Sequence, residues 1–155
     1  MSPKQPIVIA SDHAGVALKT RIVRLLREEL GYEVADLGAF SEDSVDYPDY
    51  GAKVGEAVST GQAERGVLIC GTGIGMSIIA NKYPGVRAAL CHNELMARLS
   101  REHNDANVLV MGERTTGAAV ALEMVRTWFN AKFEGGRHQR RLDKIRDIEK
   151  AEGCR

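Results

Sequence analysis

The chain has 155 residues, of which 44% are hydrophobic and only 5% aromatic, and its 21 basic and 21 acidic residues cancel. That length supports one domain with a real core, no apolar run approaches the ~18 residues of a membrane span, and sparse aromatics exclude base-stacking platforms. The charge is uneven: residues 137–155 carry 7 basic and 4 acidic side chains against 14 and 17 in residues 1–136, a mixed tail that suits a small anion or a neighbouring subunit better than a nucleic-acid backbone.

Strand and helix patterns alternate along the whole chain. Ile7–Ala10 is an apolar strand closed by Ser11-Asp12, and residues 16–30 place Leu18, Ile22, Leu25, Leu26 and Leu30 at helical spacing before Gly31. A weaker, more polar strand over residues 32–37 belongs near a sheet edge. An acidic loop over 39–47 leads to Pro48, which opens a helix to about Thr60. Residues 67–70 form the third strand, 76–82 a helix, 86–91 the fourth strand, 94–102 a helix, 107–111 the fifth strand and 117–130 a long amphipathic helix. After Gly135-Gly136, a last helix over about 138–152 shows a thin apolar stripe of Leu142, Ile145 and Ile148 plus Ala151, suited to a partner subunit more than to its own core.

This alternation predicts an α/β fold: a three-layer, Rossmann-like sandwich of five parallel strands with helices on both faces and an extended C-terminal helix. Residues 1–155 read as a single domain, with 137–153 the helix that packs on a partner. Ligands of such sheets bind beyond the carboxyl ends of the strands, where Asp12-His13 and Cys70-Gly71 fall. Cys70, Cys91 and Cys154 make no even disulfide framework, and Met1–Pro6 is polar with no apolar stretch behind it. Together these point to a reducing, cytoplasmic setting.

The densest chemistry lies in Cys70-Gly71-Thr72-Gly73-Ile74-Gly75-Met76. The segment lacks the Gly-Lys-Ser/Thr of a P-loop, puts Met76 where a dinucleotide fingerprint needs its third glycine, and lacks the arginine of a phosphatase loop. What remains is a strand–turn–helix anion site, whose positive backbone field favours a thiolate at Cys70. A tight glycine turn with a structural cysteine would leave the same pattern. Asp12-His13 reads equally as a hydroxyl-binding pair or as a helix N-cap beside an exposed imidazole. His103 is suited to proton transfer, or to capping a helix C-terminus with Asn104 in a left-handed turn. Arg137 and Arg141 share a helix face with His138 nearby; with Arg114 they form either a phosphate clamp or a solvated basic surface. The scattered histidines show no metal-ligand spacing, so neither metal nor cofactor is expected.

Several ordered segments carry a resemblance. They are Ser-Asp-His-Ala-Gly at 11–15 with Leu18-Lys19, Asp46-Tyr47-Pro48, Ile-Cys-Gly-Thr-Gly-Ile-Gly-Met-Ser at 69–77, Ala80-Asn81-Lys82, Ser-Arg-Glu-His-Asn-Asp at 100–105, and Glu-Gly-Gly-Arg-His-Gln-Arg-Arg at 134–141. Over nearly its full length the chain resembles the type B ribose-5-phosphate isomerases, a family shared with allose- and galactose-6-phosphate isomerases.

The resemblance implies a cofactor-free, metal-free aldose–ketose isomerase of the pentose phosphate pathway. Cys70 looks like the base that moves a proton between C1 and C2, with Thr72 bonded near the sulfur. The amides of Gly71, Thr72, Gly73, Ile74 and Gly75 would hold the ene-diolate. His103 would open the sugar ring. Asp12, His13, Tyr47 and Asn104 would bind hydroxyls, and Arg114, Arg137, His138 and Arg141 the phosphate. The family also implies a homodimer, able to pair further into a tetramer, in which the His103 segment and C-terminal arginines complete the partner's pocket. Some relatives lack the cysteine and carry a glutamate where Met76 stands; here the base is assigned to Cys70. A hexose-6-phosphate isomerase, a non-catalytic sugar-phosphate binding module and, more distantly, an NAD-dependent enzyme are the rival readings.

Overall fold

The computed structural model describes residues 5–153; Cys154 and the first four residues of the polar start lie outside them. Five strands, β1 (Ile7–Ser11), β2 (Val34–Asp36), β3 (Gly66–Cys70), β4 (Ala88–Leu90) and β5 (Val108–Gly112), pair in parallel in the order β2-β1-β3-β5-β4. The expected edge position of β2 is therefore observed. Along β1, β3 and β5 every residue is buried, as a sheet covered on both faces requires.

Side-chain alternation sorts these strands into two cores. Ile7, Ile9, Val67, Ile69, Leu109 and Met111 face helices α1 (Val16–Arg24), α4 (Glu94–Glu102) and α5 (Ala118–Asn130), with Trp128 at the centre. Val8, Ala10, Leu68, Cys70, Val108 and Val110 face α2 (Tyr47–Ser59) and α3 (Ile74–Ala80). Helices can approach closely on this second face because its glycines leave room. A Cβ on Gly51 would sit 2.5 Å from Ile79, and one on Gly55 2.5 Å from the Tyr83 ring.

Several elements differ in length from their sequence patterns. The first helix does not keep an α-turn to Leu30: Leu25–Glu29 widen to a π-turn closed by Leu30 N–H to Leu25 O (3.0 Å), and Gly31 turns the chain out at φ 74°. β4 is only three residues long, because Asn81 pairs with the backbone at its start: Ala88 N–H donates to Asn81 Oδ1 (2.9 Å) and Asn81 Nδ2 to Ala88 O (3.0 Å). A side chain thus occupies an edge that another strand could otherwise join. α3 begins two residues before the apolar pattern does, since Gly73, at φ 82°, can cap it.

A final helix, α6 (Arg137–Ala151), returns beneath the sheet and is held by Gly85 N–H donating to Glu149 Oε1 (2.9 Å). Of its apolar stripe Leu142 is half-buried, whereas Ile145 and Ile148 remain 53% and 65% exposed. No helix among the described residues is long and apolar enough to cross a membrane.

Lys19 is buried, with Nζ 2.6 and 2.8 Å from the two Asp36 oxygens, while Gly38 N–H donates to Asp36 Oδ1 (3.0 Å). Deleting one member of such a pair leaves an uncompensated charge. Asp36→Ala is expected to lower unfolding free energy by about 3 kcal/mol and Lys19→Met by clearly less, as measured by urea denaturation; equal losses would contradict this account.

Candidate active site

β1 and β3 are neighbours, yet their outgoing connections cover opposite faces of the sheet: α1 packs in one core and α3 in the other. The divergence opens a crevice at the carboxyl edge, where ligands of such folds bind. A pocket of about 290 Å³ lies there, lined by Asp12, His13, Ala14, Tyr47, Cys70, Gly71, Thr72, Gly75 and Arg114.

Each wall has a local cause. Cys70 ends β3 on the α3 side and is 5% exposed, its sulfur reachable through the pocket. The Gly73 N–H donates to its Sγ at 3.1 Å, which fixes the sulfur against the turn that starts α3. Thr72 Oγ1 accepts from Ile74 N–H (3.3 Å) and braces the turn. The Gly73 and Ile74 amides are thereby committed within the loop. Gly73 is obligatory: its φ is 82°, and a Cβ would lie 2.4 Å from Leu90 Cδ1 and 2.9 Å from the Met111 carbonyl carbon. Met76 points into the second core, away from the pocket.

The loop after β5 is zipped onto the loop after β3. Glu113 N–H donates to Cys70 O and Arg114 N–H to Gly71 O, both at 2.8 Å. This lays the Arg114 side chain across Gly71, 3.7 Å from where a Cβ would stand. Arg114 is exposed and makes no ion pair among the described residues.

Asp12 stands at the end of β1, on the wall of the pocket. Its Oδ1 caps the short turn after β1 by accepting from Ala14 N–H (3.0 Å), and it also lines the pocket. His13 Nδ1 accepts from Val45 N–H (3.1 Å). A backbone N–H can only donate, so in the neutral ring the proton sits on Nε2, which is then a donor. The Val45 contact joins residues 32 positions apart, and no local pattern announced it.

The remaining candidates lie elsewhere in the chain. His103 ends α4, and the next carbonyls, of Asn104 and Asp105, accept from the Arg87 side chain just before β4. That places His103 and Asn104 at the amino edge of the sheet. Cys70 stands four residues further along β3 than Gly66, whose N–H takes Asn107 O; at ~3.3 Å per residue the two edges are about 13 Å apart along the strands. Arg137, His138 and Arg141 belong to α6 beneath that same amino edge. Within one chain the Cys70 pocket and the His103 group therefore do not meet.

At the amino edge, Glu134 Oε1 is 3.3 Å from His103 Nε2 and 3.8 Å from His138 Nε2. The imidazoles stack with centroids 4.2 Å apart and planes 11° from parallel. His138 is 6% exposed, so it is no surface ligand for phosphate as this chain stands. Burial, then His103 and Arg137, hold its imidazole below the usual histidine range despite the Glu134 carboxylate. These three side chains are the one set of potential metal ligands that converges among the described residues. Parallel stacked rings aim their in-plane lone pairs along parallel planes, however, which suits a hydrogen-bonded stack better than one ion. Arg137 and Arg141 are exposed and form no ion pair among the described residues.

The sequence profile of the family described as Ribose/Galactose Isomerase matches residues 7–145. The chain belongs to that family. Among members of the ribose/galactose isomerases, ribose-5-phosphate isomerase B of Escherichia coli (strain K12) is 48% identical over 143 residues, 92% of this chain and 95% of the relative. The ribose-5-phosphate isomerase B structure from Clostridium thermocellum superposes with a TM-score of 0.92 at 55% identity, covering 96% of this chain and 99% of that one. The Mycoplasma genitalium enzyme, solved with bound ribulose-5-phosphate, gives a TM-score of 0.89 at 43% identity, covering 94% and 96%.

Two outcomes follow from the packing. A Cβ on Gly75 would lie 2.5 Å from Tyr47 Cε2 and Cζ, so Gly75→Ala is expected to push the Tyr47 ring from the pocket and raise KM severalfold, with a smaller change in kcat, in steady-state kinetics. Cys91 is buried, and that burial, only partly offset by Ser100, pushes its thiol up from 9.0 to about 11. Between these values the unfolded chain releases a proton that the folded chain keeps, so stability falls as pH rises through this window. Urea unfolding from pH 8 to 11 is expected to show a shallower decline for Cys91→Ala than for the unaltered protein.

Proposed function

We propose that this chain is a ribose-5-phosphate isomerase, interconverting D-ribose 5-phosphate and D-ribulose 5-phosphate through an ene-diolate. The observation that carries this reading is the Cys70 sulfur, held by the Gly73 amide on a pocket that also presents Asp12, His13 and Arg114. In the linear aldose the carbonyl acidifies the C2 hydrogen. The thiolate takes that proton and the electron pair moves through C1 to the carbonyl oxygen, giving the ene-diolate. The O2 hydroxyl passes its proton to O1, and as the C2–O2 carbonyl forms the thiol returns its proton to C1, leaving the ketose and the thiolate. Asp12, Tyr47 and the Nε2–H of His13 bind sugar hydroxyls.

Ring opening and phosphate binding come from the other group: His103 opens the furanose, Asn104 binds the sugar, and Arg137 and Arg141 grip the phosphate with Arg114. As the two groups occupy opposite edges of one sheet, a working site takes one from each of two copies. Exposed apolar side chains support such pairing: Ile74 and Ile78 on α3, each more than half exposed, and Tyr47 at the start of α2, 40% exposed, lie on the helices beside the pocket. The protein is accordingly a homodimer at least, acting in the reducing cytoplasm, where the thiol stays free.

Complementation tests both parts. Cys70→Ser and His103→Ala should each lose most turnover of ribose 5-phosphate. When the two variants are unfolded together and refolded at equal concentration, half of the dimers are mixed and each holds one intact site, so about a quarter of the original activity should return. No recovery from two well-folded inactive variants would place both groups in one chain's site. Near-normal turnover by Cys70→Ser would remove the sulfur as the base.

A further inference from the structure

Glu134 has no role in the reading above, yet its place is fixed by several independent contacts. Its N–H donates to Glu102 O (3.0 Å), pinning the segment to the last turn of α4. Gly135 and Gly136, at φ 68° and 55°, then reverse the chain, and His138 N–H donates to Gly135 O (3.0 Å). The consequence is the stack already described, with one Glu134 oxygen facing the Nε2 atoms of both rings and nearer to that of His103.

The two imidazoles are not equivalent. Two charged rings stacked at 4.2 Å would repel, so at most one carries a proton in excess. His138 is buried and its charged form is disfavoured by His103 and Arg137; it is the neutral backing plate. The His103 side chain is 35% exposed and closest to the carboxylate. The Glu134 oxygen 3.3 Å from Nε2 favours a proton on that nitrogen, which leaves Nδ1 for a ligand.

We propose that Glu134 is the positioning residue of the ring-opening step: by accepting from His103 Nε2–H it fixes the tautomer, so that Nδ1 is the atom that moves protons on the sugar. This rests on His103 being the ring-opening group. Nδ1 takes the proton of the anomeric hydroxyl, C1=O1 forms as the bond from C1 to the ring oxygen breaks, and the ring oxygen receives the proton from Nδ1. No proton is gained or lost overall, and Glu134 stays ionised throughout, stabilising the imidazolium that exists between the two transfers.

Two readouts separate this role from a structural one. Conversion of ribose 5-phosphate requires ring opening. Exchange of the C1 hydrogen of ribulose 5-phosphate with solvent deuterium does not, because that ketose carries its phosphate on O5 and cannot close a furanose. Glu134→Leu is expected to lower kcat for ribose 5-phosphate roughly 10- to 30-fold, part of what general acid–base catalysis supplies. It should leave KM and the deuterium exchange rate within about twofold. Glu134→Gln, whose amide oxygen can still accept from Nε2–H, should recover part of the loss. Unchanged conversion by Glu134→Leu, or parallel loss of conversion and exchange, would overturn the proposal while leaving the role of His103 standing. Wild-type conversion by His103→Ala would instead overturn the reading beneath it.

Discussion

The hydrogen bond from Gly73 N–H to Cys70 Sγ is the contact on which the rest of the site depends. To make it, the chain must turn within three residues of the end of β3, which forces Gly73 into a left-handed conformation and leaves no room for a Cβ between Leu90 and Met111. The same turn starts α3, so the sulfur faces the positive end of a helix as well as one amide. The loop cannot drift, since Glu113 and Arg114 tie their own amides to Cys70 and Gly71. The Cys70 sulfur and the Arg114 guanidinium are thus placed together by backbone bonds rather than by flexible side chains.

The chemistry of this chain is divided between the two edges of its sheet. The Cys70 sulfur and the Asp12-His13 pair belong to the carboxyl edge; the histidine stack and the C-terminal arginines belong to the amino edge. A parallel sheet makes this division hard to avoid, because each crossover helix carries the chain back to the amino edge before the next strand begins. Groups at the end of a helix and groups at the end of a strand then face opposite ways.

Much of the site was legible because it is local. The apolar run Val67–Cys70, followed by three alternating glycines, announces a strand, a turn and a helix start, and that is what β3, Gly73 and α3 form. Asp12 sits directly after β1, where its capping and lining roles both follow from position. Other contacts left no such trace. Asn81 pairs with Ala88 as a surrogate strand, Val45 fixes the tautomer of His13, and Glu134 reaches His103 across 31 positions of sequence. Each joins segments brought together by packing, and a polar residue in a loop or helix end gives no sign of which distant backbone it will meet. Thr72 is close to Cys70 in sequence, and its hydroxyl also accepts from Ile74 N–H, a brace the motif alone did not announce.

By itself, the sequence determined which segments are strands and helices and which reactive groups stand near their ends. Those properties follow from periodicity, capping and glycine dihedrals, all of which act over a few residues. Only the tertiary structure decided that β3 pairs beside β1, so that Cys70 and Asp12 share a crevice. It also decided that Glu134 folds back on His103, and that this stack lies an entire sheet length from the sulfur. Strand order and helix docking are set by the burial of two separate apolar faces, a property summed over the whole chain that no short stretch of it contains.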